Sequence, residues 1–191
     1  MNYDAYRANK IESGLLYQDF IVDLLLQTLG LAVVVYSSRL YQMQVGESRT
    51  GVEIKHDELF AKTGNFWIEV GEKAQPREGD FAPSGILRGD NSWLYVIGNY
   101  DEVYGFQKTL LCGLHASGKY RQLENKTHTS IGFLLPKARA QVYAAFILEP
   151  KAERKVVKAL QDMHDRGREL HQIATANPAQ RSLFDMSEDE S

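Results

Sequence analysis

The chain has 191 residues, of which 43% are hydrophobic and 25% are charged, and its formal net charge is −3. These values are typical of a globular domain with its own core, and they exclude a wholly disordered chain. The longest apolar run, residues 29–36, contains a glycine and is too short to cross a bilayer. The single cysteine, Cys112, excludes an internal disulfide. A polar start without a signal-peptide pattern predicts a cytoplasmic location and no membrane partner.

The first half of the chain predicts one helix followed by strands. Apolar residues at helical spacing predict a helix from Tyr3 to about Leu29, ended by Gly30. The valine-rich residues 31–37 predict a buried strand, with residues 39–45 as its partner. The segments 51–57 and 66–73 each alternate apolar and charged residues, and we expect them to pair as a hairpin. Residues 75–92, rich in Gly, Pro and charge, predict a surface loop.

The second half predicts further strands and helices. The expected strands are residues 93–98, 103–106 and 131–135, and the expected helices are residues 108–115 and 137–146. Pro150 opens a long, charged helix that runs to about Ile173. Residues 174–191 are small, polar and acidic, and they predict a flexible tail. The element order predicts an α/β fold with a central mixed β-sheet flanked by helices, in a single domain over residues 1–173.

The two alternating segments carry the first candidate site. Glu53 and Lys55 share one face of the first strand, and Glu69 and Lys73 share one face of the second. If the strands pair, these groups converge on one patch. Carboxylates so close together repel one another unless a cation lies between them, which favours a divalent metal. An ordinary solvated hairpin face with cross-strand Glu–Lys pairs is the alternative.

Two neighbours of that patch have simpler interpretations. Asp57 follows the first strand, and a turn residue at the strand end is favoured over a metal ligand. His56 falls on the opposite face from Glu53, so we expect a core or surface histidine and not a catalytic base.

A helix bearing a glutamate, followed by one strand with an acid and another with an Ile-Glu pair, resembles the restriction-endonuclease-like PD-(D/E)XK nuclease superfamily. The resemblance implies a restriction-endonuclease-like fold and a metal-dependent nuclease that hydrolyses phosphodiester bonds in DNA. In the preferred register, Glu53 and Glu69 bind Mg²⁺ or Mn²⁺, and Glu12 is the helix glutamate. An ordinary acid on the helix surface is the alternative for Glu12. The motif's lysine position holds Gly71, so the resemblance implies Lys73 or Lys55 in that role.

A second register of the same motif remains open. In it, Glu53-Ile54-Lys55 is itself the Glu-X-Lys sequence, and Glu47 supplies the first acid. The first register is preferred because its acids have the wider spacing that is usual in the superfamily. The departure at Gly71 leaves a rival interpretation, a catalytically inactive nuclease fold that serves as a DNA-binding or clamp-associated adaptor. A restriction enzyme that forms a homodimer through the long last helix is a third possibility.

Two further signals concern partners. Residues 180–184 resemble the bacterial sliding-clamp-binding pentapeptide, and the resemblance implies that Gln180, Leu183 and Phe184 contact a sliding clamp. A tail that packs back on its own domain is the alternative. A set of basic residues in the second half of the chain is expected either to line a DNA groove or to form a solvated face. It comprises Lys119, Arg121, Lys126, Lys137 and Arg139.

Overall fold

A computed structural model describes residues 3–77 and 79–176 of the chain. In chain order, the elements are α1 (Tyr3–Leu29), α2 (Arg39–Gln44), β1 (Val52–His56), α3 (Phe60–Thr63), β2 (Asn65–Glu72), β3 (Ala82–Pro83), a 3-10 turn (Gly85–Leu87), β4 (Leu94–Gly98), β5 (Val103–Gln107), α4 (Lys108–Ala116), β6 (Gln122–Glu124), β7 (Ser130–Pro136), α5 (Lys137–Tyr143), β8 (Phe146–Leu148) and α6 (Pro150–Ala176). Within the described ranges, no helix combines the length and apolar content that a membrane crossing requires.

The strands form two sheets. The first has the order β1-β4-β5-β8, with β1 parallel to β4 and the other pairs antiparallel. The second has the order β3-β2-β7-β6 and is antiparallel. The predicted mixed α/β class with a mixed sheet and flanking helices is therefore confirmed. The described residues divide into two compact units, one up to residue 150 and one from residue 151, and the first unit contains both sheets.

The two faces of the first sheet bury separate clusters of apolar side chains. On one face, Val52 and Ile54 of β1 pack with helix α1, which contributes Tyr17, Ile21 and Leu25. The other face contributes side chains of β4 and β5 to a cluster shared with β2, β7 and α4. That cluster includes Tyr95, Ile97, Tyr104, Phe106, Phe66, Ile68, Leu111 and Phe133. Because side chains alternate along a strand, Glu53 and Lys55 lie on the β1 face opposite α1.

The predicted opening helix is confirmed, and so is its end. Gly30 has a φ of +65°, a left-handed conformation that favours glycine. Its N–H donates to the Leu26 carbonyl at 3.1 Å, and the N–H of Leu31 donates to the Leu25 carbonyl at 3.1 Å. The bond from Gly30 is that of an αL cap, and the two bonds satisfy two carbonyls near the end of α1.

The predicted hairpin of the two acidic strands is wrong. β1 and β2 belong to different sheets, and the helical turn α3 lies between them. The Asp57 carboxylate accepts hydrogen bonds from the N–H groups of Leu59, Phe60 and Trp67. These bonds start α3 and hold the beginning of β2, so the chain leaves the first sheet instead of turning back along β1.

The predicted pair of strands over residues 31–45 is also wrong. Residues 34–36 make only a short antiparallel contact with residues 47–49, through the bridge between Val35 and Ser48. Residues 39–44 form α2, which begins at Ser38; the Ser38 hydroxyl accepts a hydrogen bond from the Tyr41 N–H. A serine cap of this kind satisfies one of the free N–H groups of a first helical turn.

Candidate active site

The free edge of β1 brings together two acids and a lysine. The Lys55 ammonium lies 2.8 Å from Glu47 Oε1 and 3.0 Å from Glu53 Oε1. Glu47 also accepts the Ile54 N–H at 3.0 Å through its other oxygen, so its side chain is tied to the edge of the strand. The side chains of Lys55 and Glu47 are 31% and 22% exposed. The pair is therefore accessible to a ligand from solvent.

Glu53 is the buried member of this group. Its side chain is 0% exposed, and neither carboxylate oxygen has a hydrogen-bond donor among the described residues. Its charge is balanced by Lys55 and by the Lys108 ammonium, which lies 3.8 Å from Oε2. A buried carboxylate without hydrogen bonds is costly, because its desolvation is only partly offset by ion pairs. Such a carboxylate is a candidate for binding a cation or a hydrogen-bond donor.

A second ion-pair network holds Lys108. Its ammonium donates to Asp90 Oδ1 at 2.7 Å and to the Arg88 carbonyl at 2.9 Å. The Arg88 guanidinium donates to the other oxygen of Asp90, also at 2.7 Å. Burial raises the pKa of Asp90, but the hydrogen bonds from Lys108 and Arg88 outweigh it and lower that pKa to about 2. Lys108 thus starts helix α4 with its charged end fixed beside Glu53.

Burial and nearby charges shift the pKa values of Lys55 and Tyr95, two titratable groups near Glu53. Burial lowers the pKa of the Lys55 ammonium, but Glu47 and Glu53 outweigh it and hold that pKa well above its usual value. Burial and the Glu53 carboxylate raise the pKa of the Tyr95 phenol, while Lys55 opposes them. Glu69 acts on Tyr95 in the same direction as Glu53.

Glu69 is held by two serine hydroxyls. Ser84 donates to Glu69 Oε1 and Ser130 donates to Oε2, each at 2.7 Å. Ser84 reaches this position because the next residue, Gly85, passes directly against the Glu69 backbone carbonyl, where a Cβ atom would collide. Gly85 has a φ of +51°, which also favours glycine. The Glu69 carboxylate is thus satisfied by hydrogen bonds, in contrast to Glu53.

The sequence predicts Lys73 on the same face of β2 as Glu69, but the structure does not place it there. A bulge interrupts the pairing of β2 with β7 between Glu69 and Gly71, and it changes the face that the following residues take. The Lys73 ammonium lies 3.9 Å from Glu124 and 4.4 Å from the centre of the Phe81 ring. The structure therefore brings Lys55, and not Lys73, to the acids of β1.

The other predicted residues have the following positions. Glu12 is exposed on α1, the helix that packs on the opposite face of β1. Asp57 caps the turn after β1, as expected. His56 stacks on Tyr17 with ring centres 4.2 Å apart, on the face away from Glu53. The candidate clamp contacts Gln180, Leu183 and Phe184 lie outside the described residues.

Whether these residues suit Mg²⁺ depends on their number and type. Among the described residues, no group of three or more His, Cys, Asp or Glu side chains is arranged to hold a metal ion. Mg²⁺ nevertheless often binds through one or two carboxylates and completes its shell with water and substrate phosphate. Glu47 and Glu53 supply two such carboxylates on either side of one ammonium, and the Glu53 oxygens lack hydrogen bonds. Two carboxylates are the number that suits a magnesium ion shared with a phosphate, but an ion between Glu47 and Glu53 would have to displace the Lys55 ammonium that lies between them.

Sequence reasoning did not assign Asp90, Arg88, Lys108 or Tyr95 to the site. Asp90 and Arg88 lie in the predicted loop, and their contacts with Lys108 span 18 to 20 positions of the chain. A strand followed immediately by a helix that starts with lysine was a visible signal, but it does not reveal which side chain that lysine meets.

Comparisons of this chain with protein-family models, with curated proteins and with solved structures found no match.

Proposed function

We propose that the chain is a metal-dependent DNA nuclease, with Glu47, Glu53 and Lys55 at its centre. The observation that supports the proposal most directly is the convergence of two carboxylates on one lysine at the edge of β1. Their order in the sequence is that of the second register, with Glu53-Ile54-Lys55 as the Glu-X-Lys motif. Glu69, whose carboxylate accepts hydrogen bonds from Ser84 and Ser130, is therefore not a metal ligand in this proposal.

In the proposed reaction, a water molecule gives up a proton and its oxygen bonds to phosphorus, while the bond to the leaving sugar oxygen breaks and that oxygen takes up a proton. Glu47 and Glu53 would hold Mg²⁺, which when bound neutralises phosphate charge and promotes ionisation of water. Lys55 is a cation at the accessible side of the site, where it can stabilise the negative charge that develops on the phosphate oxygens. Lys108 is a positioning residue, since it holds Glu53 from the side away from Lys55.

The matched test compares glutamate-to-glutamine variants, which keep the size of the side chain. The protein is incubated with Mg²⁺ or Mn²⁺ and a panel of labelled linear, nicked, flapped, branched and single-stranded DNAs. We expect metal-dependent cleavage that Glu53→Gln and Glu47→Gln reduce at least about 10-fold, since even the loss of a group that only orients a metal ligand costs about 10–100-fold. Glu72→Gln, at an exposed acid at the end of β2, is the control and should cleave normally.

Two outcomes would contradict the assignment in different ways. Loss of cleavage in Glu69→Gln with normal activity in Glu47→Gln would restore the first register. DNA binding without cleavage of any substrate would favour the rival function, a catalytically inactive DNA-binding adaptor. That rival has its own support in the structure, because Lys55 and Lys108 already neutralise Glu53 without a metal.

We further propose, from the sequence resemblance alone, that residues 180–184 dock on a sliding clamp. Tethering would raise the local concentration of the nuclease at replicated DNA without a new contact in its active site. Titration of the purified clamp with the full chain tests this proposal. We expect binding that a Leu183→Ala, Phe184→Ala double variant abolishes, and equal binding by the variant would contradict it.

A further inference from the structure

A small cluster of cationic and aromatic residues lies at the far end of helix α4 from Lys108. Lys119 follows this helix, and its ammonium lies 3.2 Å from the hydroxyl of Tyr143, the last residue of α5. The same ammonium lies 5.9 Å from the ring centres of both Tyr120 and Tyr143. Arg139 lies one turn earlier on α5, four residues before Tyr143, and therefore on the same face of this helix. We call Lys119, Arg139 and Tyr143 the α5 patch.

Among the described residues, no carboxylate forms an ion pair with Lys119 or Arg139. The other cations of the basic set differ in this respect: Lys137 lies 2.6 Å from Glu102, so it is already paired. Lys119 and Arg139 are both exposed. An unpaired, exposed pair of cations is suited to an anionic partner.

The tyrosines give this surface a defined shape. Tyr120 stacks on the core residue Phe133 with ring centres 5.5 Å apart, so the patch rests on the main apolar cluster. The Tyr120 hydroxyl is shielded and has no well-aligned hydrogen bond, although the Tyr143 hydroxyl is its neighbour. The hydrogen bond from the Lys119 ammonium lowers the pKa of the Tyr143 phenol. This direction is the one that a positive local potential produces.

We propose that the α5 patch binds the sugar–phosphate backbone of DNA beside the cleaved bond. The inference rests on the proposed nuclease function and extends it to substrate binding. Helix α4 has nine residues and begins at Lys108, beside Glu53. At 1.5 Å per residue the helix spans about 14 Å, so Glu53 near its start and the patch beyond its end are close enough for one short DNA duplex to contact both. In many protein surfaces that bind nucleic acid, cationic side chains contact phosphates and aromatic rings stack on bases. The α5 patch has two cations and one aromatic ring.

The test measures DNA affinity in EDTA, so that cleavage cannot intervene. A fluorescein-labelled duplex is titrated with the full chain over a series of NaCl concentrations. The Lys119→Ala, Arg139→Ala double variant should bind about tenfold more weakly, and its salt slope should fall by about 2, one for each lost phosphate contact. Lys126→Ala is the control, since Lys126 is an exposed cation in the β6–β7 turn outside the patch, and it should stay within about twofold of the parent.

Three results would overturn the assignment to DNA. They are unchanged affinity and salt slope in the double variant, an equal loss in Lys126→Ala, and an equal loss of binding to a polyglutamate peptide, which would assign the patch to an acidic protein. Failure of this inference and failure of the proposed nuclease function give different results. If the parent cleaves no substrate but the double variant loses DNA affinity, the patch stands and catalysis does not. If cleavage depends on Glu53 while the double variant binds normally, the reverse holds.

Discussion

The Asp90→Asn variant tests whether the Lys108 network stabilises the fold in the way its contacts indicate. Asp90 is 1% exposed and accepts hydrogen bonds from Lys108 and Arg88, each at 2.7 Å. These donors outweigh burial and lower the pKa of Asp90 from 3.8 to about 2. Each pKa unit corresponds to about 1.4 kcal/mol, so the ionised Asp90 contributes roughly 2 kcal/mol to the free energy of unfolding at neutral pH.

The sign of the pH dependence follows from the direction of that shift. A carboxyl whose pKa is lower in the folded state than in the unfolded state stabilises the fold above the unfolded value. This contribution is lost as the pH falls through the folded value. For Asp90 the window runs from about pH 4 down to about pH 2. We expect roughly half of the contribution to be gone at pH 3.

Urea denaturation of the parent and of Asp90→Asn at intervals from pH 7 to pH 3 measures this effect. The difference in unfolding free energy between the two should be constant from pH 7 to about pH 5 and should shrink below that. Asp80→Asn, at an exposed loop carboxylate, is the control and should track the parent throughout. A difference for Asp90→Asn that is the same at pH 7 and pH 3 would refute the reasoning, because it would arise from packing and not from ionisation.

Three further substitutions have defined expectations. Lys55→Met should lower cleavage at least 100-fold while DNA affinity in EDTA changes little, because Lys55 stabilises charge that appears in the reaction; equal losses in both would refute this role. Gly105→Ala should destabilise the fold by about 1–3 kcal/mol in urea, because its Cβ would collide with the Phe146 ring. Phe133→Ala should cost about 3–5 kcal/mol in the same assay, since Phe133 is fully buried in the main cluster; a loss under about 1 kcal/mol would contradict that burial.

Elements with a strong local pattern were predictable from the sequence. The helix α1 has apolar residues at helical spacing and a glycine where it ends, and the structure confirms both. The strands β4, β5 and β7 and the helices α4 and α6 were also predicted, with ends that differ by a few residues. These predictions depend only on neighbouring residues, and so they did not require knowledge of the sheets.

Elements that depend on a single side chain or on a distant partner were not predictable. Residues 39–44 have the composition of a strand, but the Ser38 cap starts a helix there. The pairing of β1 with β4 joins segments about forty residues apart, between Val52 and Leu94, and no local pattern identifies that partner. The bulge after Glu69 shifts the register of one strand by one residue, and this shift separates Lys73 from its predicted face.

The same distinction explains which part of the candidate site could be inferred. Residues two apart on one strand share a face whatever sheet they enter, so the proximity of Glu53 and Lys55 follows from the sequence alone. The proximity of Glu53 and Glu69 required the two strands to pair, and they do not. Glu47 joins Glu53 and Lys55 because its carboxylate accepts a hydrogen bond from the Ile54 N–H on the free edge of β1. In the middle of a sheet, a neighbouring strand would accept that hydrogen bond. The edge position of β1 therefore supplies the second acid, and the proposed site uses only this strand and its edge.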